Sequence, residues 1–162
     1  MEIQAHGIRA QLPAGWEGRL GKRAATGPAE RRKGGTTAVS EDTGPVLHMA
    51  NFALPEDRGD FGSGAVDVMG TGHVLVAVVE YGPDSAGTAL FPTVSRVPRL
   101  TTRMFSTQAL QRVQRGQAGA QRFFTLNGRA FCLYVVLGDQ RDAAELTPRT
   151  NDLTSQIEVT PR

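Results

Sequence analysis

The stretch FFTLNGRAFCLYVVLGD, residues 123–139, constrains the fold more than any other part of the chain. Asn127-Gly128 is the strongest short hairpin signal a sequence offers, because a type I′ turn needs positive φ at both central residues and this pair tolerates it. Folding the chain there pairs Leu126 with Arg129, Thr125 with Ala130, Phe124 with Phe131 and Phe123 with Cys132. One face of the hairpin then carries Phe124, Phe131, Leu133 and Val135, and the other carries Phe123, Cys132, Tyr134 and Val136. A strand apolar on both faces has to be covered on both, so the hairpin is expected in the middle of a sheet. HVLVAVVEY (73–81) has the same character and the same expected place. In that setting Cys132, the only cysteine, is a small core residue, since a thiol in apolar surroundings stays protonated and inert.

The remaining elements follow from pattern and punctuation. IQAHGIRAQL (3–12) reads as one strand, with Ile8, Ala10 and Leu12 alternating against Arg9 and Gln11. Pro13 to Gly15 supplies a turn, and Trp16 anchors the start of a second strand, WEGRL. Residues 21–44 hold one large apolar side chain, Val39, and so read as a flexible or inserted loop with little to bury. VLHMANFAL (46–54) reads as a strand, and the glycine-rich connector after it as turns with a short helix near 64–69. TQALQRVQRG (107–116) reads either as one short helix or as a strand running into a turn, the second being preferred. DQRDAAEL begins a helix; Thr147 as N-cap with Pro148 at the first helical position starts a second helical piece. Pro148 argues against a single unbroken helix. IEV (157–159) is expected to return as a last strand.

A strand ending in LPAGW, a central insertion, paired apolar strands around Asn127-Gly128 and the closing TNDLTSQIEV together resemble the PsbP-like fold family. The resemblance spans most of the chain and implies a curved antiparallel sheet with helices packed on both faces. Many members of that family are adaptors or chaperones, and it offers no catalytic motif to carry over. Its lipoproteins have a signal peptide and a lipidated cysteine, and neither is expected here. The expected fold class is therefore α+β, a single domain over 1–162 with the 21–44 loop inside it.

Charge is distributed in blocks. The net charge of +2 resolves into +4 over residues 1–33, −7 over 34–84, +7 over 85–138 and −2 over 139–162. The third block holds seven arginines and no Asp, Glu or Lys: Arg96, Arg99, Arg103, Arg112, Arg115, Arg122 and Arg129. Either these arginines neutralise the acidic block inside the fold, or they form a surface. A planar guanidinium binds carboxylate or phosphate bidentately and is favoured at interfaces. Arg96, Arg99 and Arg103 lie in a loop-like segment, and with Arg112 and Arg115 they make the candidate partner-binding set. A second basic group, RRK at 31–33, sits in the expected loop.

Chemistry is sparse. His6, His48 and His73 have no ligand spacing, Cys132 has no CxxC partner, and Asp57, Asp60 and Asp67 lack the spacing of a calcium loop. A catalytic role would need His48, His73 and a carboxylate to converge. The glycines of GDFGSGAVDVMGTGHVL form no G-x-G-x-x-G, and GTG precedes a strand instead of opening a helix, so no phosphate cradle is expected. No cofactor and no metal are expected. With one cysteine, no apolar run of membrane-spanning length and no basic-then-apolar leader, the expected compartment is the cytoplasm. The expected function is a non-enzymatic protein-binding, adaptor or chaperone-like module that meets an acidic partner or a second copy of itself as a homo-oligomer. The alternatives are anion or nucleic-acid binding through the arginines, and an enzyme of unknown class.

Overall fold

A computed structural model describes residues 1–23 and 44–162. Among the described residues nine strands form two sheets. The larger has six strands in the order β3 (Glu17–Lys22), β4 (Pro45–Ala50), β5 (Val74–Glu80), β8 (Arg129–Leu137), β7 (Ala118–Leu126) and β6 (Thr93–Val94). All neighbours are antiparallel except β6 and β7. The smaller sheet has β1 (Glu2–Ala5), β2 (Ile8–Gln11) and β9 (Ile157–Val159) in that order.

The β7–β8 hairpin adopts the register read from Asn127-Gly128, with Phe124 opposite Phe131 and Phe123 opposite Cys132. Both turn residues have positive φ, 51° and 77°. β5 and β8 lie side by side in the middle of the sheet, and every residue of both is buried. Alternation then divides the core in two. Val74, Val76, Val78, Phe131, Leu133 and Val135 face one side, while Leu75, Ala77, Val79, Cys132, Tyr134 and Val136 face the other. Burying each such side chain contributes roughly 1.5–3 kcal/mol, and these two strands form the centre of the molecule.

The expected α+β class, with helices packed on both faces of an antiparallel sheet, is overturned, and with it the arrangement that the PsbP-like resemblance implied. The chain is mostly β. Among the described residues one helix of substantial length, α2 (Ala143–Thr154), covers the first face together with the smaller sheet and residues 95–105, through Ile8, Ala10, Leu146, Leu153, Leu100 and Phe105. The second face is covered by irregular segments around the four-residue helix α1 (Ser63–Val66), with Leu54, Ala65, Val66 and Leu110 buried there. Helix growth needs several consecutive residues to pass a costly nucleus, and the closely spaced glycines of 59–72 raise that cost.

Three further expectations need correction. IQAHGIRAQL is a hairpin of β1 and β2, turning at His6 (φ 52°) and Gly7 (φ 75°), with Ala5 opposite Ile8 and Ile3 opposite Ala10. TQALQRVQRG forms no strand; it holds a 3₁₀ turn (Thr107–Ala109) followed by further turns. α2 continues through Pro148. Proline removes the hydrogen bond to the carbonyl four residues earlier, here that of Ala144, and both residues are exposed, so water can take the freed oxygen. The expected strand IEV is β9, and the expected short helix near 64–69 is α1. Most of the 21–44 loop lies outside the described residues.

A buried ion pair joins the two sheets. Arg129, at the start of β8, donates from Nε (3.0 Å) and Nη2 (2.7 Å) to the two carboxylate oxygens of Glu80 at the end of β5. The same guanidinium donates to the carbonyls of His6 (2.9 Å) and Thr160 (3.1 Å), which flank the smaller sheet. Asn127 Nδ2 donates to the Val159 carbonyl at 2.6 Å, fixing β9 to the hairpin turn.

Candidate functional site

The candidate arginines are distributed by the path of residues 92–117. At its start, Thr125 N–H of β7 donates to the Pro92 carbonyl at 2.8 Å. Val97, Leu100 and Phe105 are then buried on the first face of the large sheet. Asn151 of α2 grips the backbone of Leu100 with its whole amide: Oδ1 accepts from the Leu100 N–H and Nδ2 donates to its carbonyl, both at 2.8 Å. Ser106 and Gly119 exchange two backbone hydrogen bonds of 2.9 Å at the edge of β7. The loop is thus held at its beginning, middle and end. Between these anchors Arg96, Arg99 and Arg103 project into solvent, and none makes an ion pair with a described residue.

Beyond Ser106 the chain crosses to the second face. Leu110 is buried beside Tyr134, whose hydroxyl accepts from the Gln111 N–H at 2.9 Å. Arg112 and Arg115 therefore belong to a different side of the sheet from the first three. Arg112 pairs with Asp67, which also accepts from Gln114 Nε2 at 2.8 Å; Arg115 is exposed and makes no ion pair with a described residue. The five candidates do not form one patch. Of the other two arginines in the block, Arg122 is half-buried in β7 and Arg129 is the buried partner of Glu80. Neutralisation by the acidic block thus holds for Arg112 and Arg129. RRK at 31–33 lies outside the described residues.

The histidines are not brought together. His48 on β4 lies opposite Ala77, four residues along β5 from His73, roughly 13 Å at strand spacing. His48 is held between Arg58, whose Nε donates to Nδ1 at 2.9 Å, and the Asp60 carbonyl, 2.7 Å from Nε2. Burial and the Arg58 charge lower its pKa below the usual 6.5, outweighing the Asp60 hydrogen bond that raises it. His73 accepts from the Gly70 N–H at 3.0 Å and stacks on Phe52. Burial pushes the Cys132 thiol up to about 12, so it has no thiolate character at neutral pH. Among the described residues no three His, Cys, Asp or Glu side chains are placed to hold a metal ion, and no helix is long and apolar enough to cross a membrane.

A cleft lies elsewhere among the described residues, on the opposite flank of α2 from the arginine loop. α2 and the turn between β2 and β3 diverge over the ends of β4 and β5, leaving a cleft of about 550 Å³. Its walls are Leu12, Pro13 and Trp16 from the turn, Val74 below, and Leu146, Arg149, Thr150, Asp152 and Leu153 from the helix. The amide of Asn51 at its base is already used: Oδ1 accepts from Val74 N–H (2.8 Å) and Nδ2 donates to the Gly72 carbonyl (2.9 Å). Sequence reasoning placed Trp16 as a core anchor, and it does pack against the core while staying half-exposed. The cleft was not foreseen; its one legible sign was a lone tryptophan next to a Pro-Gly turn. No protein-family model, no curated protein and no solved structure matches this chain.

Proposed function

We propose that the chain is a non-enzymatic binding module that docks an acidic protein segment on the loop carrying Arg96, Arg99 and Arg103. The observation supporting this reading is the combination of a fixed backbone with unspent charge. The loop is pinned by Asn151 and by the Ser106–Gly119 pair, yet its three arginines have no carboxylate partner among the described residues. A preordered loop loses little backbone entropy on binding, and a guanidinium offers a carboxylate two parallel hydrogen bonds. Arg112 and Arg115 leave the proposed surface, because their segment covers the other face.

The test is fluorescence anisotropy of a labelled glutamate-rich peptide against the wild type and the Arg99→Glu/Arg103→Glu variant, with a single-stranded oligonucleotide as the second ligand. The reading requires saturable peptide binding that the double reversal weakens about tenfold or more, which is about 1.4 kcal/mol. Both side chains are exposed, so the melting temperature should stay unchanged. Peptide binding unaffected by the reversal would refute it. Tighter binding of the oligonucleotide, with affinity falling by about one log unit per log unit of salt for each phosphate contacted, would replace it with a nucleic-acid surface.

A further inference from the structure

We propose that the cleft between α2 and the β2–β3 turn binds a small organic cation, an ammonium on an apolar body. The body would lie against Trp16, Leu12 and Leu153, and the charge would meet Asp152. This goes beyond the arginine-loop reading and is independent of it, since the two surfaces lie on opposite flanks of α2 and share no side chain.

Three properties of the wall favour a cation. Trp16 contributes a half-exposed indole, and the negative face of an aromatic ring attracts a cation, Trp most strongly. Two charged side chains line the cleft, Arg149 and Asp152. Arg149 is already paired with Glu145 one turn earlier on the helix, at 3.2 Å. Asp152 is exposed and makes no ion pair with a described residue, so its carboxylate is the unbalanced charge at the wall. Asp152 also lies in the last turn of α2, two residues before Thr154, where the helix dipole is negative and stabilises positive charge. An anion would face both the carboxylate and that end of the helix.

The remaining lining sets the rest of the ligand's chemistry. Leu12, Val74, Leu146 and Leu153 make the interior apolar, while Gln11 and Gln156 lie among the lining residues as neutral amides. A volume near 550 Å³ falls in the range of small-molecule sites, which are apolar with a few placed polar groups. A bare metal ion or a polyamine with no apolar body would leave the tryptophan and leucines unused.

Trp16 is the only tryptophan, so its emission reports directly on the cleft. The experiment titrates the full chain at low salt and neutral pH with three probes of one shape: phenethylammonium, phenethyl alcohol and phenylacetate. The Trp16 indole N–H resonance is followed in parallel as a readout independent of quenching. The proposal requires a saturable change with the ammonium, at least about fivefold weaker binding of the alcohol, and weaker binding still of phenylacetate. In Asp152→Asn the ammonium should fall to the level of the alcohol with the melting temperature unchanged, because that side chain is exposed and makes no ion pair with a described residue. Equal binding of all three probes, preference for phenylacetate, a preference that survives Asp152→Asn, or no saturable change with any probe would each overturn it.

Discussion

Removing Arg129 should destabilise the chain more than removing any single exposed arginine, and the structure gives the size of the effect. Its side chain is 4% exposed and Glu80's is 2% exposed. The pair shares two hydrogen bonds, and the Arg129 ring contact to Phe131 adds a cation over an aromatic face at 5.5 Å. Arg129→Met leaves the Glu80 carboxylate buried, with Arg162, itself 57% exposed, as its remaining cation at 2.8 Å. It also strips a donor from the His6 and Thr160 carbonyls. Breaking one side of a buried pair costs about 3–5 kcal/mol. At roughly 2–4 °C per kcal/mol for a chain of this size, the melting temperature should fall by roughly 6–20 °C. Glu80→Met strands the guanidinium and should cost a similar amount. The double change Glu80→Met/Arg129→Met buries neither charge and should be milder than either single change. Urea denaturation of the four proteins closes the cycle. A loss below about 1 kcal/mol for Arg129→Met, or a double variant as unstable as the sum of the singles, would refute the reading that this pair holds the two sheets together.

Two further predictions rest on backbone and proton. Gly7 (φ 75°) and Gly128 (φ 77°) hold equivalent places in two hairpin turns, so alanine at either incurs the left-handed cost of about 1–2 kcal/mol. A Cβ at Gly128 meets nothing within 4 Å, whereas at Gly7 it falls 2.6 Å from Arg129 Nη1 and 2.7 Å from Thr160 Oγ1. Gly7→Ala should therefore exceed Gly128→Ala by at least about 1 kcal/mol in chemical denaturation, and equal losses would count against the Arg129 anchor. His48 is held neutral in the fold, with Nδ1 accepting from Arg58, and its folded pKa lies below the unfolded 6.5. The unfolded chain then binds more protons below that value, so this contribution is complete above about pH 6.5 and is lost as the pH falls from there toward the folded pKa. Urea midpoints from about pH 7.5 to about pH 5 should drop for the wild type and less for His48→Gln; an identical drop would assign the slope to other groups.

The parts of the fold that were legible are those governed by short-range rules. Asn127-Gly128 fixed its hairpin because positive φ is a property of two residues, and the burial of β5 and β8 followed from apolar residues at both parities. The first hairpin was legible too, through a signal passed over. In one continuous strand Ile3 and Ala5 would face away from Ile8 and Ala10, whereas a two-residue turn at His6-Gly7 brings all four to one face. The coverage of the sheet was not legible, because irregular segments can bury Leu54, Leu100 or Leu110 with no periodicity to announce it. Pairing of β2 with β9 joins residues about 150 positions apart, and no local pattern encodes a three-residue strand's partner.

The candidate surfaces divide along the same line. Seven arginines in one block look equivalent in the sequence, yet Arg129 is spent on Glu80, Arg112 on Asp67, and Arg96, Arg99 and Arg103 on no described residue. What separates them is where the backbone crosses the edge of β7 at Ser106, a long-range event. α2 shows how finely such differences can be cut. Asn151 is buried and holds the arginine loop, and the next residue, Asp152, is exposed and lines the cleft. Successive residues on a helix are about 100° apart, so adjacent side chains serve opposite flanks. The basic loop and the cleft therefore share one wall without sharing a side chain. A change on the exposed side of α2 should alter the cleft while leaving the anchoring of the arginines intact.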